Sequence, residues 1–192
     1  MTGLDLTSDE LVEVAVVITD YDLQPVDPGF AIVIKADQSA IDGMNDFVRE
    51  MHTKSGLIDE IPNGVSLADA EYAVLEYILR FVPGSQTAPL AGNTIGTDRT
   101  FLAKYMPRVD KHLHYRSIDV SSIKELSRCW FPRVYFNAPA KDGGHRALAD
   151  ILESIRELQY YRLAAFVADP GPTSDEVQAI SASVVEQFSE HL

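Results

Sequence analysis

The apolar positions of the chain follow two periods. Leu11-Val12-Glu13-Val14-Ala15-Val16-Val17-Ile18 is β-branched and nearly continuous in apolar character, which predicts a strand. Asp20-Tyr21-Asp22 predicts a turn, and Phe30-Ala31-Ile32-Val33-Ile34-Lys35 predicts a second strand, placed to pair antiparallel with the first. Residues 38–51 then read as a helix, and Ser55-Gly56 with Pro62-Asn63-Gly64 mark an irregular stretch. Ser66 with Asp69 resembles a capping box, and Leu67, Val74, Ile78, Phe81 and Val82 make a helical stripe behind it.

Thr87-Ala88-Pro89-Leu90-Ala91-Gly92-Asn93 reads as a short strand entering a turn, followed by a helix over 98–105 that stops before Pro107. Residues 115–120 predict another strand. Ser122 with Glu125 reads as a capping box opening a helix to about Trp130, and Pro132 to Gly144 reads as a loop. Leu148, Ile151, Leu152, Ile155 and Leu158 keep one face of a long helix apolar. Pro170-Gly171-Pro172 breaks the chain, and residues 174–189 read as a final amphipathic helix or a mobile tail. Strands first, then strands alternating with helices, predict an α/β domain whose mixed sheet is antiparallel at its N-terminal end. A length of 192 residues suits one domain, placed at 1–168, with an acidic segment at 169–192.

Charge narrows the partners. The net charge is −13, which argues against a protein that coats long duplex nucleic acid. It leaves room for a nuclease acting on one or two phosphates, because carboxylates that hold divalent metals add negative charge and the metals supply the positive field. From Ala168 to Leu192 there is no Lys or Arg, whereas Lys111 to Arg133 holds five basic residues against Asp119 and Glu125. The second region is the better candidate for meeting phosphate, and a solvated helix face explains it equally well. Cys129 is the single cysteine, so no intrachain disulfide or cysteine-based zinc site forms. The longest apolar run is too short to span a membrane, and Thr2-Gly3-Leu4-Asp5 after Met1 has no signal-peptide character, which together predict a cytoplasmic protein.

Three carboxylates and a histidine could carry chemistry. Gly143-Gly144 precedes His145, and Asp150 falls in the first turns of the long helix, so a movable imidazole would stand near a fixed carboxylate. A helix-start histidine with a solvated aspartate explains the same spacing. Asp98 opens a helix at the C-terminal side of a strand, where α/β ligand sites gather, or serves only the helix dipole. Asp119 closes a strand, as a metal ligand or as a brace for the turn at Ser121-Ser122. His52, His112, His114 and His191 share no metal-ligand spacing. His112 and His114 are expected to face one side of a strand approach. Ser121 and Ser122 lack a nucleophile-elbow context and read as helix caps. Gly92 and Gly96 are too sparse for a dinucleotide or Walker motif.

Several longer segments carry a family likeness. They are Met1-Thr2-Gly3-Leu4-Asp5, Leu11-Val12-Glu13-Val14-Ala15 and His52-Thr53-Lys54-Ser55-Gly56-Leu57. Gly92-Asn93-Thr94-Ile95-Gly96-Thr97-Asp98-Arg99-Thr100-Phe101-Leu102 follows, then His114-Tyr115-Arg116-Ser117-Ile118-Asp119-Val120-Ser121-Ser122-Ile123-Lys124-Glu125-Leu126. His145-Arg146-Ala147-Leu148-Ala149-Asp150-Ile151 and Tyr160-Tyr161-Arg162 complete the set. Over residues 1–166 the chain resembles the oligoribonucleases, a family of the DEDDh 3′-to-5′ exonuclease superfamily. The resemblance implies an RNase H-like mixed β-sheet flanked by helices, and a homodimer. It implies hydrolysis of dinucleotides and very short single-stranded RNA to nucleoside 5′-monophosphates, with two divalent metals, Mg²⁺ or Mn²⁺. By the same resemblance Asp98 and Asp150 match metal-binding aspartates and His145 matches the general base. Leu4 matches a wedge against a base, Phe47 stands where the family often has a stacking tryptophan, and His52 lies beside the substrate. Thr94 matches a terminal-phosphate contact, usually serine, and Tyr115 and Arg116 match residues that reach the site from the other subunit.

The family also carries Asp-x-Glu directly before Met-Thr-Gly-Leu-Asp. The sequence begins at Met1, so that pair and the strand bearing it are not in it, and the first strand is expected to be truncated. Three readings follow: a nuclease whose natural start lies upstream, a catalytically impaired form that still dimerises and binds short RNA, and an unrelated α/β binding domain, which the extended match disfavours.

Overall fold

The computed structural model describes residues 1–141, 144 and 146–189. Strands β1 (Glu13–Val16) and β2 (Phe30–Val33) pair antiparallel, with Glu13 opposite Val33 and Val16 opposite Phe30. Strands β3 (Pro89–Gly92) and β4 (His114–Asp119) pair parallel, Gly92 opposite Asp119. Both senses expected of a mixed sheet are present, as two separate two-stranded ladders among the described residues. Helix α9 (Ala147–Ala165) lies against β1, β2 and β3 and bridges the two ladders. A small sheet flanked by helices is consistent with the RNase H-like exonuclease fold.

The core explains why these elements form. Leu11 and Ile34 flank the first ladder and pack with Ala70, Val74, Tyr77 and Ile78 of α4 (Leu67–Phe81), Phe101 of α5 (Ile95–Tyr105) and Val109 of α6 (Pro107–His112). A second cluster joins Val12 to Ala36, Met44, Leu57 and Ile61. Ser66 caps α4 as expected, its hydroxyl accepting the Asp69 amide at 3.1 Å.

Several local expectations need correction. The helix over 38–51 is two, α1 (Gln38–Asp42) and α2 (Asp46–Lys54), because the Asn45 side chain accepts the Val48 amide and starts a new helix. The irregular stretch contains α3 (Leu57–Glu60) and a 3₁₀ turn at Ile61–Asn63, entered through Gly56 at φ +75°, a conformation glycine adopts without strain. Helix α5 begins at Ile95, not 98, so Asp98 lies within its first turn. Helix α7 (Val120–Trp130) is capped by Asp119, which accepts the Ser121 amide; Ser122 merely donates its hydroxyl to the same carboxylate. The loop after Pro132 opens with a short helix, α8 (Pro132–Phe136). His112 ends α6 and bonds the Val82 carbonyl, whereas His114 opens β4, so the two do not share one strand face. The C-terminal segment holds α10 (Ser174–Phe188), started by a full Thr173/Glu176 capping box, and none of its residues is buried. Among the described residues no helix is long and apolar enough to cross a membrane.

Candidate active site

The start of the chain is held by His52 and Asp9, and its ammonium lies within electrostatic reach of Asp98. Burial pushes the Met1 ammonium below its ordinary value, while the charges of Glu13, Asp98 and Asp9 work in the opposite direction. Burial likewise raises the Asp98 carboxyl, against its own backbone amide and the Met1 ammonium. His52 is buried in α2 and donates from Nε2 to the Met1 carbonyl at 2.9 Å. Among the described residues its Nδ1 has no hydrogen-bond partner, and burial lowers its pKa despite the bond to Met1. The segment is pinned further along: Thr2 donates to Asp9 at 2.9 Å, and Asp9 also accepts the Asp5 amide at 2.8 Å. A Cβ on Gly3 would collide with the Asp9 carboxylate, so the close approach needs glycine there. Beyond this anchor Leu4 stands 74% exposed, and Phe47, in the first turn of α2, is 72% exposed. Two large apolar side chains thus face solvent, one on the pinned segment and one on the helix that carries the buried histidine.

Thr94 precedes α5 in the left-handed region, at φ +52°. Its amide donates to Asp119 Oδ1 at 3.0 Å and to Ser121 Oγ at 2.9 Å, which ties the turn to the end of β4 and the start of α7. Asp119 is therefore a brace shared by Thr94, Ser121 and Ser122. Thr94 and Asp98 lie within one helical turn, so β3 delivers an exposed hydroxyl and a half-buried carboxylate to one place.

Glu13 connects this region to α9. It accepts the Ala147 amide at 2.9 Å and pairs with Arg146 at 2.8 Å, while Arg146 also grips Glu60 through both guanidinium nitrogens at 2.9 and 3.2 Å. The first turn of α9 is thereby fixed, and Asp150 projects from it, exposed. His145 lies outside the described residues. Tyr115 and Arg116 occupy exposed β4; the guanidinium lies 4.8 Å from the Tyr115 ring centroid, and the His114 ring is tilted against that of Tyr115 with centroids 4.5 Å apart.

Among the described residues no three His, Cys, Asp or Glu side chains gather as a metal site. Asp98 is half-buried in α5 and Asp150 is exposed in α9. Sequence reasoning assigned no role to Asn93, Arg146 or Glu157, and gave Ser121 a cap alone. Their signal is not local: Asn93 and Glu157 are 64 positions apart and meet at 3.1 Å.

The exonuclease family of RNase T type matches residues 1–158. The chain is 75% identical to the oligoribonuclease of Leifsonia xyli subsp. xyli, over 98% of this chain and 91% of that one. It is 56% identical to the oligoribonuclease of Mycobacterium avium, over 97% of this chain and 87% of the relative, and equally to that of Nocardia farcinica over 96% and 86%. Exonucleases of this kind generally depend on two divalent metals. With a family match over most of its length and such relatives along nearly all of it, the chain belongs to the oligoribonucleases, the 3′-to-5′ exoribonucleases that act on short RNA.

Proposed function

We propose that the chain, as a homodimer, hydrolyses dinucleotides and very short single-stranded RNA from the 3′ end and releases nucleoside 5′-monophosphates. Water attacks phosphorus, the P–O3′ bond breaks, and the shortened RNA leaves with a free 3′-hydroxyl. His145 takes the proton of the water; this role rests on its place in the family motif. Leu4 and Phe47 hold the bases between them, His52 borders the substrate, and Thr94 meets the terminal phosphate. Tyr115 and Arg116 act on the site of the partner subunit, which their exposure on β4 favours. The observation that carries the reading is the grouping of Asp98, His52 and the Met1–Leu4 segment beside the Thr94 turn.

Two divalent cations, Mg²⁺ or Mn²⁺, would neutralise charge building on the phosphate. Asp98 and Asp150 would hold part of that set, and an Asp-x-Glu pair joined ahead of Met1 would complete it. We assign catalysis to residues 1–168, none to 169–192, and place the activity in the cytoplasm.

The test compares protein beginning at Met1 with protein carrying an Asp-x-Glu-bearing strand before it, on RNA of two to about ten nucleotides. The extended protein is expected to cleave dinucleotides fastest and to bind Mn²⁺ more tightly. Rates that rise with length would refute the short-substrate site, and equal hydrolysis by both proteins would refute the account of the metals.

A further inference from the structure

Glu157 sits on α9 with 3% of its surface exposed, and three donors converge on it. Lys124 of α7 reaches Oε1 at 3.1 Å, Lys141 reaches Oε2 at 2.9 Å, and Asn93 Nδ2 reaches Oε2 at 3.1 Å. Burial opposes the charge, and the two ammonium groups outweigh burial, holding the carboxyl below its ordinary range. A charge so held fixes the direction of every bond beyond it. Asn93 must turn its amide nitrogen toward Glu157 and Ser154, because the flipped amide would set oxygen against oxygen. The Asn93 oxygen then accepts the Ser121 hydroxyl at 3.1 Å. Ser121, its proton committed, can only accept, and it accepts the Thr94 amide at 2.9 Å with the Thr94 hydroxyl at 3.2 Å. The chain of four side chains ends at the strained left-handed turn that opens α5.

We propose that Glu157 is a positioning residue for recognition of the substrate's 5′-terminal phosphate, acting through Asn93 and Ser121 to hold the Thr94 turn and its hydroxyl in register. The proposal rests on the role given to Thr94 above. Glu157 touches no substrate; it sets the donor–acceptor order of the bonds that hold the residue that does.

The experiment uses the chain from Met1 to Leu192 and two readouts that require no turnover. One is hydrogen exchange at the Thr94 amide. The other is the ratio of dissociation constants for a dinucleotide with and without a 5′-phosphate. Glu157→Gln keeps the shape, removes the charge and allows Asn93 to flip. It is expected to speed Thr94 exchange and to reduce the preference for the phosphorylated ligand roughly tenfold, the scale of one hydrogen bond, with the 5′-hydroxyl ligand bound as before. Asn93→Ala cuts the same chain at a partly exposed position and should do likewise if Glu157→Gln unfolds. Unchanged exchange and unchanged preference in the folded variants would overturn the proposal. Faster exchange in a protein whose wild type ignores the 5′-phosphate, with Thr94→Ala equally indifferent, would show that Thr94 is not the phosphate contact, and the proposal would fall with it. Loss of preference in Thr94→Ala but not in Glu157→Gln would leave Thr94 its role and remove Glu157.

Discussion

Strands β1 and β4 differ in what surrounds them. Every residue of β1 is half-buried, and the strand leans on α4 and α9. In β4, Tyr115, Arg116, Ser117 and Ile118 are exposed in succession, so both faces of the strand meet solvent within one chain. A strand normally hides at least one face. The contrast separates a ladder that serves the core from one whose side chains face solvent, and Tyr115 and Arg116, proposed above to act on the partner's site, lie on the second.

The sharpest way to break the comparison is to mix defective subunits. In protein extended before Met1 by an Asp-x-Glu-bearing strand, Asp98→Asn and Arg116→Ala should each lose nearly all turnover. Mixed dimers would hold one site spared both defects, so activity should return on subunit exchange. No recovery after exchange has been shown by mass spectrometry would mean that β4 serves its own subunit. A rigid guanidinium suits a phosphate grip across an interface, which is why lysine should replace Arg116 poorly.

A smaller effect comes from deleting the same atoms in the two regions. Ile34, at the end of β2, is 1% exposed and its amide bonds Val12 at 2.9 Å; Ile34→Ala should cost about 2–5 kcal/mol in chemical denaturation. Ile118 is 41% exposed, and Ile118→Ala should cost less than about 1 kcal/mol in the monomer. Similar losses at both positions in a monomeric protein would contradict the difference in burial.

The mildest effect concerns acid. The Glu157 carboxyl is held below its ordinary 4.5, so the folded protein binds fewer protons there than the unfolded chain. Its stabilisation is full above pH 4.5 and fades as the pH falls through the lower folded-state value. Glu157→Gln should therefore flatten the acid limb of a melting curve taken from about pH 6 to pH 3. An unchanged acid limb would mean that Lys124 and Lys141 do not hold the carboxylate charged.

The residue pattern by itself determined the first ladder, the start of α4, the presence of a long helix after residue 146 and the place of Asp98 near the start of a helix. These follow from periodicity and capping, which act within a few positions of the chain. The likeness in Gly92–Leu102 and His114–Leu126 was equally legible, because each is a continuous run. Tertiary structure decided the rest. That Asp119 and not Ser122 caps α7 depends on which side chain the end of β4 brings to the Ser121 amide. That Thr94 leans on Ser121 depends on β3 and β4 lying parallel with Gly92 beside Asp119. The clamp of Arg146 on Glu13 and Glu60 joins residues 133 and 86 positions apart, and Glu157 meets Asn93 across 64. A charge or an amide in the sequence is silent about its partner; low dielectric and a fixed geometry give it one, and both exist only after the chain has folded.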